Sequence, residues 1–177
     1  MARDVSEIVL SKQDLREVSA FAARCAEGVL DIFEADQPDD SRPREAIHAA
    51  WEFARGSERG KVLRDTAWAA LEAAKRADSA AAGEAARAAM SAAGAAYLHP
   101  LAKATQVKHI VGAGAYAARA AELAAGDDQA VGAELVQQAV NRASPLVVGV
   151  LKRFPAAPAG GGRTGELIRM LDADLRH

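Results

Sequence analysis

Three features of the chain predict an all-α fold. Alanine supplies about a quarter of the 177 residues, far above ordinary usage, and it is the strongest helix former, with almost no side-chain entropy to lose. Apolar residues recur at steps of three and four along most of the chain, the period of a helix face and not of a strand. Serine, aspartate, proline and glycine divide these stretches at places that suit helix caps and stops. Because alanine buries little area, helices built from it must approach closely to form a core. The expected architecture is one domain over residues 1–177, a compact antiparallel multi-helix bundle or a set of stacked helical hairpins with seven to eight helices. No strict repeat at a fixed period is visible in the sequence, which disfavours a repeat solenoid.

Residues 1–10 form an N-terminal arm containing Arg3, Asp4 and Glu7 with no long apolar run, so a signal peptide is not expected. Ser11 followed by Asp14 makes a capping box. Leu15, Val18, Ala22, Cys25, Val29 and Ile32 then predict one amphipathic helix to near Ala35, before Asp36-Gln37-Pro38. Asp40 or Ser41 caps the second helix, with Pro43 in its first turn. Ile47, Ala50, Trp51 and Ala54 carry it to a stop at Gly56. A third helix, Lys61 to Ala77, buries Leu63, Ala67, Ala70, Leu71 and Ala74. Ser79 opens a fourth, almost pure alanine, that ends around Leu98. The fifth starts near Thr105 or Gln106 and stops at Gly126, and Asp127 or Asp128 caps the sixth. Ser144-Pro145 either kinks that helix or caps a new one with proline first. Residues 155–163 read as a Pro/Gly linker, and Thr164 caps a last helix carrying Leu167, Ile168, Leu171 and Leu175.

Charge and composition remove several function classes. A formal net charge of -2 and a pI near 6.1 disfavour a nucleic-acid partner, which calls for a basic face. The longest apolar run, Pro145 to Leu151, is far too short to cross a membrane. Cys25 is the single cysteine, so no intramolecular disulfide is available and a reducing, cytoplasmic setting is expected. Its spacing from Leu15, Val18, Ala22 and Val29 places it on a buried face as a structural thiol.

Chemically capable side chains gather in Y-L-H-P-L-A-K-A-T-Q-V-K-H-I, residues 97–110. A tight helical hairpin here brings His99 and His109 together, with Thr105 and Gln106 beside them. Two imidazoles fall short of a zinc site, which normally takes a third protein ligand. The H-x-x-x-H spacing is absent, and His48 is the nearest source of a third nitrogen. No metal, cofactor or catalytic residue is therefore assigned. Two readings of the hairpin stay open. One is a small-ligand pocket using His99, Thr105, Gln106 and His109 next to Arg42 and Arg44. In the other, His99 caps helix carbonyls and His109 bonds to Thr105 or Gln106.

An acidic run forms the second candidate. Glu27, Asp31, Glu34, Asp36, Asp39 and Asp40 follow one another with no intervening basic residue. Asp31 and Glu34 lie against the dipole at the end of the first helix, an arrangement that asks for a partner. Arg42 and Arg44 supply one internally through bidentate bonds, or the surface docks a basic protein and speeds the encounter. In G-G-G-R-T-G-E, Gly160 to Glu166, free N–H groups with Arg163 suit an anion, although a capped linker explains the same residues and the P-loop lysine is missing. Gly112 and Gly114 mark close helix approach, and Trp51, Phe53 and Trp68 have core or interface spacing, core being the default.

L-S-K-Q-D-L-R-E-V, C-A-E-G-V-L-D-I-F-E and D-S-R-P-R-E-A-I-H-A-A-W-E-F-A-R-G resemble a bacterial family of putative immunity proteins. So do Y-L-H-P-L-A-K-A-T-Q-V-K-H-I and G-G-G-R-T-G-E-L-I-R-M-L, and the likeness covers nearly the whole chain. The resemblance implies an all-helical cytoplasmic module, monomer or homodimer, that neutralises a toxin protein without chemistry of its own. Asp31, Glu34, Asp36, Asp39 and Asp40 are then the expected docking residues. The competing expectation is a small-ligand or metal-binding helical enzyme built on His99 and His109.

Overall fold

Side-chain capping sets most of the helix starts. In the computed structural model, which describes residues 5–177, the Ser11 hydroxyl accepts from the Asp14 N–H at 3.0 Å while the Asp14 carboxylate accepts from the Ser11 N–H at 2.9 Å. That capping box opens α1 (Lys12–Glu27). It is followed by α2 (Leu30–Asp36), α3 (Arg42–Ala54), α4 (Lys61–Arg76) and α5 (Ala80–Gly94), then α6 (Lys108–Ala124), α7 (Gln129–Arg142), α8 (Pro145–Leu151) and α9 (Gly162–Arg176). The Ser79 hydroxyl caps α5, the Asp128 carboxylate α7 and the Ser144 hydroxyl α8. Single 3₁₀ turns at Ala95–Tyr97 and Ala104–Gln106 bracket the link between α5 and α6. Residues 1–4 of the arm, with Arg3 and Asp4, lie outside the described residues.

The fold is all-α as expected, with nine α-helices and no strand among the described residues. The ninth helix arises because the first apolar stripe does not form one rod. Its backbone leaves the helix at Gly28–Val29, where Val29 has φ −125 and ψ 6, and α2 restarts with Leu30 and Phe33 buried and packs against α5. Ser144-Pro145 starts a helix of its own, the second of the two alternatives. Thr164 is not the last cap. Gly160, Gly161 and Gly162 take φ values of 90, 79 and 59, a left-handed run that glycine adopts without steric cost; Gly161 is the cap, α9 begins at Gly162, and Thr164 sits in its first turn. The preceding stretch is pinned to α9: Asp172 accepts from the Ala157 N–H at 2.9 Å, and Arg176 donates to the Phe154 carbonyl at 3.0 Å.

At the centre of the molecule, α5 touches α1, α2, α3, α4 and α6. Eight of its alanines, from Ala81 to Ala93, are buried, as befits a helix apolar on every side. Methyl-sized side chains let the neighbours close in. Glycines on α6 extend this: a Cβ at Gly112 would stand 2.7 Å from Ser91 Oγ, and one at Gly114 2.7 Å from a Leu171 methyl and 3.5 Å from Cys25 Sγ. Burial pushes the Cys25 thiol up to about 12, which leaves it protonated and structural. The N-terminal arm is stitched to the α5–α6 link by Ile8 N–H to the Pro100 carbonyl at 2.8 Å and Ala102 N–H to the Ser6 carbonyl at 3.0 Å.

One charged cluster is built into this core. Glu122 on α6 is fully buried. It accepts from Arg119 at 2.9 Å and from Arg163 on α9 at 2.5 and 3.1 Å, while Gly132 on α7 leaves room for its carboxylate. Arg163 does hold an anion, and that anion is the protein's own glutamate.

Candidate functional site

Two grooves flank α4, and they follow from the pattern on that helix. Leu63, Ala70, Ala73 and Ala74 are buried. Arg64, Ala67, Trp68 and Leu71, spaced i, i+3, i+4, i+7, form a second stripe that lines an open groove. Ala67 and Leu71 are consequently half-buried and not core. Trp68 departs furthest from its expected core position, with 61% of its surface exposed.

The first groove, about 540 Å³, lies between α4, α5, α6 and α9. Met90, Tyr97, Tyr116 and Ile168 supply apolar surface, Arg64 and Lys108 stand at its exposed edge, and His109 lies half-buried within it. The guanidinium groups of Arg59 and Arg64 sit 5.3 and 5.2 Å from the Tyr97 ring, within cation–π range. Tyr97 O–H donates to the Gly60 carbonyl at 3.0 Å, which fixes the ring at the groove's end.

His109 lies beside the backbone of Gly94 in this groove, and neither Thr105 nor Gln106 lines it. Burial lowers the His109 pKa first and the Lys108 charge next; the Gly94 backbone pushes it up by less than either, and the His99 charge lowers it least. The two histidines are thus close enough to sense one another. His99 is exposed, and its N–H donates to Gln106 Oε1 at 2.9 Å, closing the link. Thr105 is exposed on the far side of the link, against the glycine run before α9. Of the four hairpin residues, His109 alone lines the first groove.

A depressed histidine pKa has a definite consequence for stability. The folded state takes up the His109 proton below the unfolded value near 6.5, so between those two values the unfolded chain binds more protons. Stability therefore falls as pH drops from 6.5 through the folded pKa and levels off below it. Urea unfolding at pH 7.5 and 5.5 is expected to show a larger loss for the wild type than for His109→Asn. Equal losses would remove the assignment.

The second groove, about 690 Å³, is bounded by α1, α2, α3 and α4. Leu30, Ile47, half-buried Trp51 and Val62, the last 59% exposed, form its apolar part. Trp51 Nε1–H donates to Glu27 at 2.8 Å, and Arg24 and Arg55 lie 5.6 and 5.0 Å from its ring. Arg44, Glu45, His48 and Glu52 add charge. His48 is 3.9 Å from Glu52 and belongs to this groove, not to the one holding His109. Among the described residues no three His, Cys, Asp or Glu side chains group as metal ligands.

Of the acidic run, Glu27 lines this second groove, and Glu34 meets it through the groove-lining Arg44. Arg44 takes Glu34 in a bidentate pair, with Nε at 3.0 Å from Oε2 and a second, short bond from Nη2 to Oε1. Arg42 takes Asp40 the same way, at 2.8 and 2.6 Å. These Arg42 bonds hold the Asp40 carboxyl below its usual value despite partial burial. Asp36 accepts from the Asp78 N–H at 3.0 Å and the Gln37 amide at 3.2 Å. Asp31 and Asp39 are exposed. Arg42 and Arg44 thus meet the acids, as one reading of the sequence has it, and neither lines the groove of His109.

Trp68, Met90, Tyr97, Lys108 and Tyr116 were not identified as site residues from the sequence. One signal was available: the two tyrosines of an aromatic-poor chain, Tyr97 and Tyr116, bound the polar stretch that holds His99 and His109, and both line this groove.

A family model described as Imm-5 like putative immunity protein matches residues 9–143, from the N-terminal arm to the end of α7. No curated protein and no solved structure matches the chain.

Proposed function

The chain belongs to the Imm-5 like putative immunity protein family, and on that membership we propose that it is a non-catalytic helical module that binds a bacterial toxin and neutralises it. The docking face in this reading is the acidic border of the second groove. Asp31, next in the chain to the groove-lining Leu30, and Asp39, two residues before Ser41, are exposed carboxylates, while Glu34, Asp36 and Asp40 are held in place by their partners. Exposed carboxylates steer a basic toxin segment toward the face. Trp51 and Val62 offer the apolar contact from which a tight interface draws most of its energy. Every residue lining this groove falls within the matched stretch.

Calorimetric titration against toxins encoded beside the gene tests the proposal. A one-to-one complex is expected, together with rescue of growth when the two are co-expressed. Asp31→Lys combined with Asp39→Lys is expected to slow association roughly tenfold or more at low salt and far less at high salt. Absence of a complex with any of these toxins would overturn the reading. A complex indifferent to both charge reversals would move the docking face elsewhere.

A further inference from the structure

We propose that the first groove is a binding site for an amphipathic organic anion, a small molecule with a flat apolar body and one carboxylate or sulfonate head. The inference stands apart from toxin binding, since it uses the other face of α4. A volume of about 540 Å³ falls within the range of small-molecule sites, which combine apolar walls with a few placed polar groups. Here the walls are Leu71, Met90, Tyr116 and Ile168, with the Trp68 indole exposed at the rim. A flat body suits a cleft edged by three aromatic rings, Trp68, Tyr97 and Tyr116.

The charge of the head follows from the ionised side chains. In a chain of net charge -2, no carboxylate among the described residues lines this groove; its cationic lining residues are Arg64 and Lys108, both exposed. From neighbouring elements, Arg59 adds a further positive charge over Tyr97. Glu84 and Arg87 on α5 pair with each other at 3.2 Å and offset. Stacking on Tyr97 leaves the guanidinium edge of Arg64 free to donate to a carboxylate. Neutral His109 contributes polarity without charge. Gly94 keeps the groove open: its backbone is right-handed, φ −74 and ψ −17, and a Cβ there would meet nothing within 4 Å.

The chain's two tryptophans give each groove its own reporter, Trp68 in the first and Trp51 in the second. Titrating ¹⁵N-labelled full-length protein with 2-naphthoate is expected to shift the Trp68 indole signal saturably at one ligand per chain, with the Trp51 signal still. The neutral 2-naphthamide is expected to bind roughly tenfold or more weakly, reflecting a lost charge-assisted bond. Arg64→Ala with Lys108→Ala should erase that preference, and Gly94→Leu should abolish binding. If Gly94→Leu fails to fold, the two exposed cations decide alone. The proposal falls if neither indole moves, if both move in parallel, or if the amide binds as well as the carboxylate. A toxin that fails to bind leaves all of these outcomes unaffected.

Discussion

Glu122→Ala is expected to lower the unfolding free energy by about 3 kcal/mol or more, toward the range seen when one member of a buried ion pair is removed. The carboxylate is wholly buried, and Arg163 bridges to it from α9 across 41 residues of chain. Its presence beside Arg163 raises that guanidinium's pKa, so the arginine keeps its charge in the folded protein. Removing the acid strands two arginines that are each about four-fifths covered, with side-chain exposures of 19% and 18%. Residual contacts of Arg119 with Asp127 and of Arg163 with Glu166 keep the effect near the lower end. Gly132 supplies a sharper test. A Cβ there would lie 2.0 Å from Glu122 Oε1 and 2.5 Å from its Cδ, so Gly132→Ala should destabilise the wild type by about 1–3 kcal/mol through overpacking. In a Glu122→Ala background the atoms it meets are gone, and the same substitution should cost little or nothing. Urea unfolding of the four proteins measures the coupling. Additive effects, or a Glu122→Ala variant within 1 kcal/mol of wild type, would show that this cluster does not hold α6, α7 and α9 together.

The contrast between that cluster and the helices around it marks where the sequence stops being readable. Helix identity is local: Ser11 with Asp14, Ser79, Asp128 and Ser144 are caps because their own side chains reach N–H groups two or three residues on. Period and capping therefore expose nearly every element. They do not expose the division at Gly28–Val29, because the apolar stripe continues in phase across it. On its far side Leu30 and Phe33 are buried and α2 packs against α5, a long-range contact that local spacing does not encode. Bidentate capture of Asp40 by Arg42 and of Glu34 by Arg44 could be anticipated, since donors and acceptors lie two and ten residues apart. The Glu122–Arg163 bond could not, as nothing in the sequence pairs one glutamate with one arginine at long range.

The grooves obey the same logic. An alanine-walled α5 lets its neighbours approach wherever their own contact residues are small. Beside it, Trp68, Tyr97 and Tyr116 are too large to follow, as is Met90 on α5 itself, and a cleft lies between helices that touch elsewhere. His109 was visible as a polar residue amid alanine, but its setting was not. Its neighbours in the groove come from α4, α5 and α9, and no spacing within residues 97–110 points to them. Thr105 and Gln106 share its stretch of sequence yet face other surroundings, because they lie in the 3₁₀ turn before α6 and His109 lies in α6 itself.

Gly165→Ala should destabilise the protein by about 1–3 kcal/mol even though it places a better helix former inside a helix. In an unconstrained helix the same change gains up to about 1 kcal/mol. At Gly165 the helical propensity is overridden by contact: a Cβ would stand 1.9 Å from the Gly160 carbonyl oxygen and 2.9 Å from its carbon. Those are backbone atoms of the left-handed turn that starts α9, and no rotamer change moves them aside. The Gly160 carbonyl also accepts from Arg169 at 2.7 Å, so displacing the turn sacrifices that bond as well. Overpacking of this kind carries the stated cost. Gly149 on α8 is the internal control, being helical and exposed, with nothing within 4 Å of its would-be Cβ. Gly149→Ala is therefore expected to raise stability by up to about 1 kcal/mol. Chemical denaturation of the two variants should move the midpoint in opposite directions. A shared direction would mean that the glycine turn yields freely, and that α9 is not anchored through its first residues.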